Sequence, residues 1–140
     1  MAVLTVNAEG EQLGLTVGTT LSLSLEPPLV GVSVSRQAAM HELLRTAGGF
    51  GLSLLAGDQE AVAQHFARGV PPFAHWHGID WHEGTTGAPL LDGALGWIEA
   101  RIVDEHETGD HTLFVGRVVS VERGRSGPAL VHVGQAYAAL

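Results

Sequence analysis

The sequence predicts a mainly β fold, a small barrel of strands with two short helices inserted. Three observations predict it. Apolar and β-branched residues recur in short runs, many with period-two alternation, whereas helical spacing occurs in only two stretches. Glycine, present 19 times, recurs at the turns between runs, as expected of a small closed sheet. A length of 140 residues fits one domain over residues 1–140.

Val3 to Asn7 reads as a strand, turned at Ala8-Glu9-Gly10-Glu11. Gln12 to Ser24 reads as a longer strand in which Gly14 and Gly18 mark bulges or close approaches. Glu26-Pro27-Pro28 halts it, because proline has no N–H for a ladder and fixes the backbone at a turn. Leu29 to Val34 is a nearly unbroken apolar strand ending in Ser35-Arg36. Met40, Leu43, Leu44 and Ala47 fall at helical spacing, and Gly48-Gly49 stops that helix. Phe50 to Leu55 returns to strand. Asp58 is placed as N-cap of a second helix, with Val62 and Phe66 four apart on its buried face. Arg68 to Pro89 is a loop rich in glycine, proline, histidine and tryptophan; so long a loop is functional or packed over something. Ala94–Glu107 and His111–Glu122 form a hairpin about Thr108-Gly109-Asp110, with Leu113, Val115, Val119 and Val121 sharing a face. Trp97, Glu99 and Arg101 alternate, which reads as a core tryptophan beside a surface ion pair. Arg123–Gly127 is an exposed loop, Ala129–Val133 a last short strand and Gln135–Leu140 a tail.

Composition excludes several classes. There is no cysteine, so disulfides and thiolate chemistry are ruled out. All seven basic residues are arginines against fifteen acidic ones, and the net charge of -8 repels a phosphate backbone, so nucleic acid is no partner. The N-terminus carries no basic or long apolar segment, and no run of eighteen apolar residues occurs; a soluble, cytoplasmic protein without a membrane is expected.

The chemistry concentrates in Gly14–Val34, GLTVGTTLSLSLEPPLVGVSV. Small and hydroxyl residues seed its first strand, the Pro-Pro turn follows, and the next strand leads to Ser35-Arg36. A flat, polar-edged ring with a phosphate tail, such as a flavin, needs backbone N–H groups within reach, small side chains, hydroxyls and a cation. Threonine and serine also populate half-exposed strands for no functional reason. His75, His77 and His82 in HWHGIDWHE invite a metal reading, since histidines two apart on a strand share a face. The pattern around them breaks: Glu83 is one residue out of place and no second ligand motif exists. No metal is assigned, and the loop is expected to cover the flavin or a dimer seam.

The segment resembles the signature of the flavin reductase-like family, and matches follow in order at Phe50–Ala67, at Gly87–Glu122 with GDHTLFVG, and more weakly at Pro128–Tyr137. The resemblance implies a Greek-key split β-barrel, a homodimer with flavin near its interface, and an NAD(P)H-dependent flavin reductase. Hydride would pass from NADH or NADPH to FMN, with FAD or riboflavin as alternatives, and reduced flavin would go to a partner monooxygenase. It places Thr16, Val17, Gly18, Thr19 and Ser22 along the ring and ribityl chain, and Ser33, Ser35 and Arg36 at the phosphate. His111 falls where the nicotinamide stacks, as the catalytic residue; a histidine at a hairpin mouth that only bonds Asp110 is the plainer reading. Asp92 matches a family position with a turn role. Ala38 and Met40 stand where the family carries phosphate hydroxyls, and the family's leading helix is missing, which favours the alternative of a non-catalytic flavin-binding split-barrel protein.

Overall fold

Two strands that follow each other in sequence, β2 (Glu11–Val17) and β3 (Thr20–Leu25), stand at opposite edges of one antiparallel sheet in the computed structural model, which describes all of Met1–Leu140. Between them run β1 (Ala2–Ala8), β5 (Gly49–Leu54), β8 (Gly96–Thr108), β9 (His111–Arg123) and β4 (Pro28–Ser35), in the order β2-β1-β5-β8-β9-β4-β3. Only Gly18-Thr19 links the edges, and three peptide steps span at most about 11 Å. The sheet must therefore curl until its edges meet there. No ladder joins them along their length, so the barrel is split, not closed by hydrogen bonds.

The single strand expected over Gln12–Ser24 is thus two, because its halves take different partners: β2 runs against β1 and β3 against β4. Gly14 is the close approach expected, since a Cβ there would lie 2.7 Å from the Phe66 ring. Gly18 is not: the nearest atom would be a Met1 methyl at 4.0 Å, and its φ is not positive.

Helix α1 (Ala39–Ala47) packs on β1 and β2 and buries Met40 and Leu44 among Leu4, Val32, Phe50 and Phe114. Gly48 ends it in the left-handed conformation at φ 68, with its N–H on the Leu44 carbonyl. Helix α2 (Glu60–Ala67) covers the outer side of β1, where Val3, Ala63, Phe66, Leu91 and Leu130 form a second core. Because β1 feeds both cores, its side chains are buried on both faces and its sequence is continuously apolar where alternation would be usual.

Three expectations are corrected. Asp58 does not cap α2: Gln59 holds that position without a side-chain bond, and Asp58 pairs with Arg125. The stripe Leu113, Val115, Val119 and Val121 does share a face of β9, the outer one, because Thr112, Phe114 and Gly116 fill the inner one; Val119 and Val121 are exposed. Glu99 is no surface ion pair but a buried carboxylate, while Arg101 is exposed. The tail is a strand, β11 (Ala136–Ala139), turned on Gly134-Gln135 against β10 (Leu130–Val133). Within the long loop, β6 (Trp81–Glu83) pairs with β7 (Pro89–Leu91). No helix is long and apolar enough to cross a membrane.

Candidate functional site

One end of the barrel gathers the start of β3, the end of β4 and the β8–β9 turn. The β4–β9 register sets Ser35 opposite His111 and Ser33 opposite Leu113. Side chains directly opposite share a face, and Val32 and Val34 take the inner face, so Ser33, Ser35 and His111 lie on the outer one. Thr20 opposes Val32, which brings Gly18-Thr19 in beside Ser33 and Val34. The Arg36 N–H donates to the Asp110 carbonyl at 2.9 Å, and its guanidinium lies 3.6 Å from Glu107. Ser35 Oγ accepts from the Gln37 N–H at 3.3 Å. His111 Nδ1 bonds the Asp110 carboxylate at 2.8 Å, and this bond holds the Asp110 carboxyl below the usual carboxylate range. That contact fits the plainer reading of His111, yet it leaves Nε2 for a ligand.

Of the residues predicted to hold flavin, Gly18, Thr19, Ser33, Ser35 and Arg36 come together beside His111. Others do not. The Thr16 hydroxyl donates to the Ala63 carbonyl at 2.6 Å and ties α2 to β2, so it is not free for a ligand. Val17 is buried in the core and can offer only backbone. Ser22 lies further along β3 opposite Val30, lining a recess of about 300 Å³ with Thr20, Leu52 and Ile98. Met40 is 1% exposed, so a hydroxyl at that position would enter the core and not reach a phosphate. Ala38 occupies the N-cap of α1 and gives it no side-chain bond, where serine is common.

Sequence reasoning missed two buried polar residues. His41 bonds Thr112 Oγ1 at 2.7 Å through Nε2 and meets Phe114 edge-on at 5.3 Å, tying α1 to the strand that carries His111. Its only sequence signal is a histidine next to Met40 on the buried side of a helix. Glu99 accepts from Thr85 N–H at 2.9 Å, Thr86 N–H at 2.8 Å and Thr86 Oγ1 at 2.7 Å, fixing the turn that joins β6 to β7.

The histidines of the long loop go separate ways. His82 bonds Asp92 at 2.7 Å. His75 is buried and its Nε2 accepts the Gly14 N–H at 2.9 Å, while Trp76 donates to the Gln12 carbonyl at 3.2 Å. Gly14 and Gln12 are the groups of β2 that point away from β1. Side chains of the loop thus satisfy an edge that would otherwise pair with another chain. The loop covers this edge and part of the second core.

This contact has a pH signature. Burial first, then the neighbouring His65, lowers the His75 pKa, and Arg68 lines the same cleft as His75. A neutral ring can accept from Gly14, and a protonated one cannot. Because the folded value lies below the unfolded one of about 6.5, this contribution is complete above that pH and is lost as pH falls below it. Urea unfolding is expected to show stability falling from pH 7.5 to 5.5, with a shallower slope in His75→Gln, whose side chain accepts without titrating. Parallel profiles for the two proteins would refute the role.

The flavin reductase like domain family model matches residues 1–140. An NADH-dependent flavin reductase of a Rhodococcus species is 40% identical over 134 residues, covering 94% of this chain and 74% of its own. The reductase component of 4-hydroxyphenylacetate 3-monooxygenase of Thermus thermophilus is 42% identical over 127 residues, 91% of this chain and 78% of its own. The NADH:FAD oxidoreductase of Streptomyces globisporus, solved with NAD and FAD fragments, superposes with a TM-score of 0.91 at 35% identity, covering 97% of this chain and 81% of that one. The chain belongs to the flavin reductase-like family.

Proposed function

We propose that this chain is an NAD(P)H-dependent flavin reductase working in the cytoplasm as one domain, and that it passes reduced flavin to a partner monooxygenase. The observation that carries the reading is the register that sets His111 opposite Ser35 and beside Arg36, next to the exposed link Gly18-Thr19. The donor set fits a flavin: edge-strand N–H groups along β3, hydroxyls at Ser33 and Ser35, and a cation at Arg36 for a phosphate. Bound flavin and nicotinamide supply the hydride chemistry themselves. The residues orient and stabilise. Arg36 and Ser35 anchor the anionic tail, backbone N–H groups at Gly18 and Thr19 support charge on the ring edge, and His111 Nε2 meets the carboxamide of the donor. Steady consumption of NADH or NADPH with added FMN, FAD or riboflavin is the test. Flavin binding without consumption would leave a binding module.

The working unit in this reading is a homodimer. Strand β3 is exposed along nearly all its length, with Leu21 41%, Leu23 42% and Leu25 89% exposed. Leu21 opposes Gly31, which opposes Val115, so β3 continues the outer apolar face of β9 that ends in Val119 and Val121. An apolar face this wide suits a second copy. Light scattering is expected to give about twice the 14.7 kDa chain mass; a monomer at micromolar concentration with flavin present would refute a shared site.

A further inference from the structure

We propose that His41, on helix α1, is a positioning residue for His111, fixing the strand that carries that imidazole relative to the anchor at Ser35 and Arg36; this rests on the reading of His111 given above. The His41 ring is 3% exposed, and its two nitrogens reach different elements. Nδ1 lies 3.2 Å from the Glu42 carboxylate, which can only accept, so Nδ1 carries a proton and donates. Nε2 lies 2.7 Å from Thr112 Oγ1. In the neutral ring that nitrogen accepts, and the Thr112 hydroxyl donates to it. Thr112 adjoins His111 in β9 and is wholly buried on the inner face, while His111 stands on the outer one.

The placement of α1 gives this bond its consequence. From Arg36 the chain passes only Gln37 and Ala38 before entering α1, and the Ala38 N–H donates to the Ser35 carbonyl at 3.1 Å. The helix then reaches back to both strands of the β8–β9 hairpin. His41 holds β9 at Thr112, whereas Arg45 holds β8 through the two Glu105 oxygens at 2.7 and 3.2 Å and closes on Glu42 at 3.2 Å. One helix thus joins the proposed anchor of the flavin tail to the hairpin that presents His111. The two ties differ in strength. Glu42, Arg45 and Glu105 are exposed, where water and salt replace an ion pair at little cost. The bond from Thr112 to His41 is buried at both ends, so solvent does not take its place when one partner is lost. A misplacement of about 1 Å can cost roughly 100-fold in rate, so a smaller shift of the hairpin is enough to be read.

Anaerobic single-turnover mixing at saturating NADH or NADPH tests this in a cycle of variants. His41→Phe keeps a ring against Phe114, which the imidazole meets edge-on, but loses the bond to Thr112. It is expected to slow hydride transfer about 3- to 10-fold, with flavin affinity unchanged. His41→Gln, whose amide still offers Thr112 a partner, should restore most of the rate. In a His111→Ala background, His41→Phe should slow the step no further, because the group it positions is gone. Equal slowing with and without His111, or an unchanged rate in folded His41→Phe protein, would overturn the inference alone. Thr112→Val removes the same bond from the other side and carries the same cycle where His41→Phe does not fold. An unchanged rate in His111→Ala would overturn the alignment role and this inference with it. Wild-type protein that consumes neither NADH nor NADPH with added flavin would overturn the reductase reading itself, and both roles would fall.

Discussion

Glu99→Ala is expected to lower stability by about 3 kcal/mol, seen as a fall in Tm of roughly 10 °C. The carboxylate is 2% exposed and accepts three bonds from Thr85 and Thr86, so its removal leaves the β6–β7 turn with unpaired donors against an apolar side chain. Each bond to a charged acceptor is worth about 1.5 to 3 kcal/mol alone, and water reaching the half-exposed turn offsets part of the sum. Gly84 is part of the same arrangement, because a Cβ there would sit 2.2 Å from Glu99 Oε1. Gly84→Ala should therefore also destabilise. Glu99→Gln should fall between, since its amide nitrogen must face one of two backbone donors. A loss below about 1 kcal/mol for Glu99→Ala by urea unfolding would show that solvent replaces these bonds freely.

Local chemistry made most of the fold legible. The Pro-Pro turn, the glycine that ends α1 and the apolar run of β4 each state their own conformation, and the structure places those elements within a residue or two of the sequence reading. What sequence hid is partnership. Gln12–Ser24 looks like one strand because each residue in it suits a strand; that its halves lie at opposite edges follows only from the curl of the sheet. The stripe on β9 was legible as a face but not as the outer one, since a surface awaiting a partner has the composition of a core. Glu99 misled for the reverse reason: a charged residue two positions from Arg101 suggests a surface pair, and only the distant turn at Thr85-Thr86 shows why it is buried. At the site, the resemblance marked a stretch but could not separate side chains facing out from those facing in. The Thr16 hydroxyl is tied to the Ala63 carbonyl and Met40 lies in the core, whereas Ser33, Ser35 and His111 share one face.

His111→Ala is expected to slow hydride transfer roughly 10- to 100-fold, or about 1.4 to 2.7 kcal/mol of barrier, with flavin affinity little changed. The imidazole is held by Asp110 through Nδ1 and sits opposite Ser35, beside the residues proposed to anchor flavin but not under them. Its contribution is therefore to the donor: a fixed Nε2 that aligns the carboxamide so that hydride leaves in a reactive geometry. The rate is followed as flavin bleaching in anaerobic single-turnover mixing at saturating NADH or NADPH, which isolates the chemical step from product release. Asp110→Asn provides the companion measurement. It keeps a hydrogen-bond partner for Nδ1 but removes the charge, so it should slow the step less than His111→Ala does. An unchanged rate in a folded His111→Ala protein would return the residue to a turn-stabilising role at the β8–β9 hairpin. Loss of flavin binding itself would place the ring beneath the flavin, and the alignment role would pass to another group.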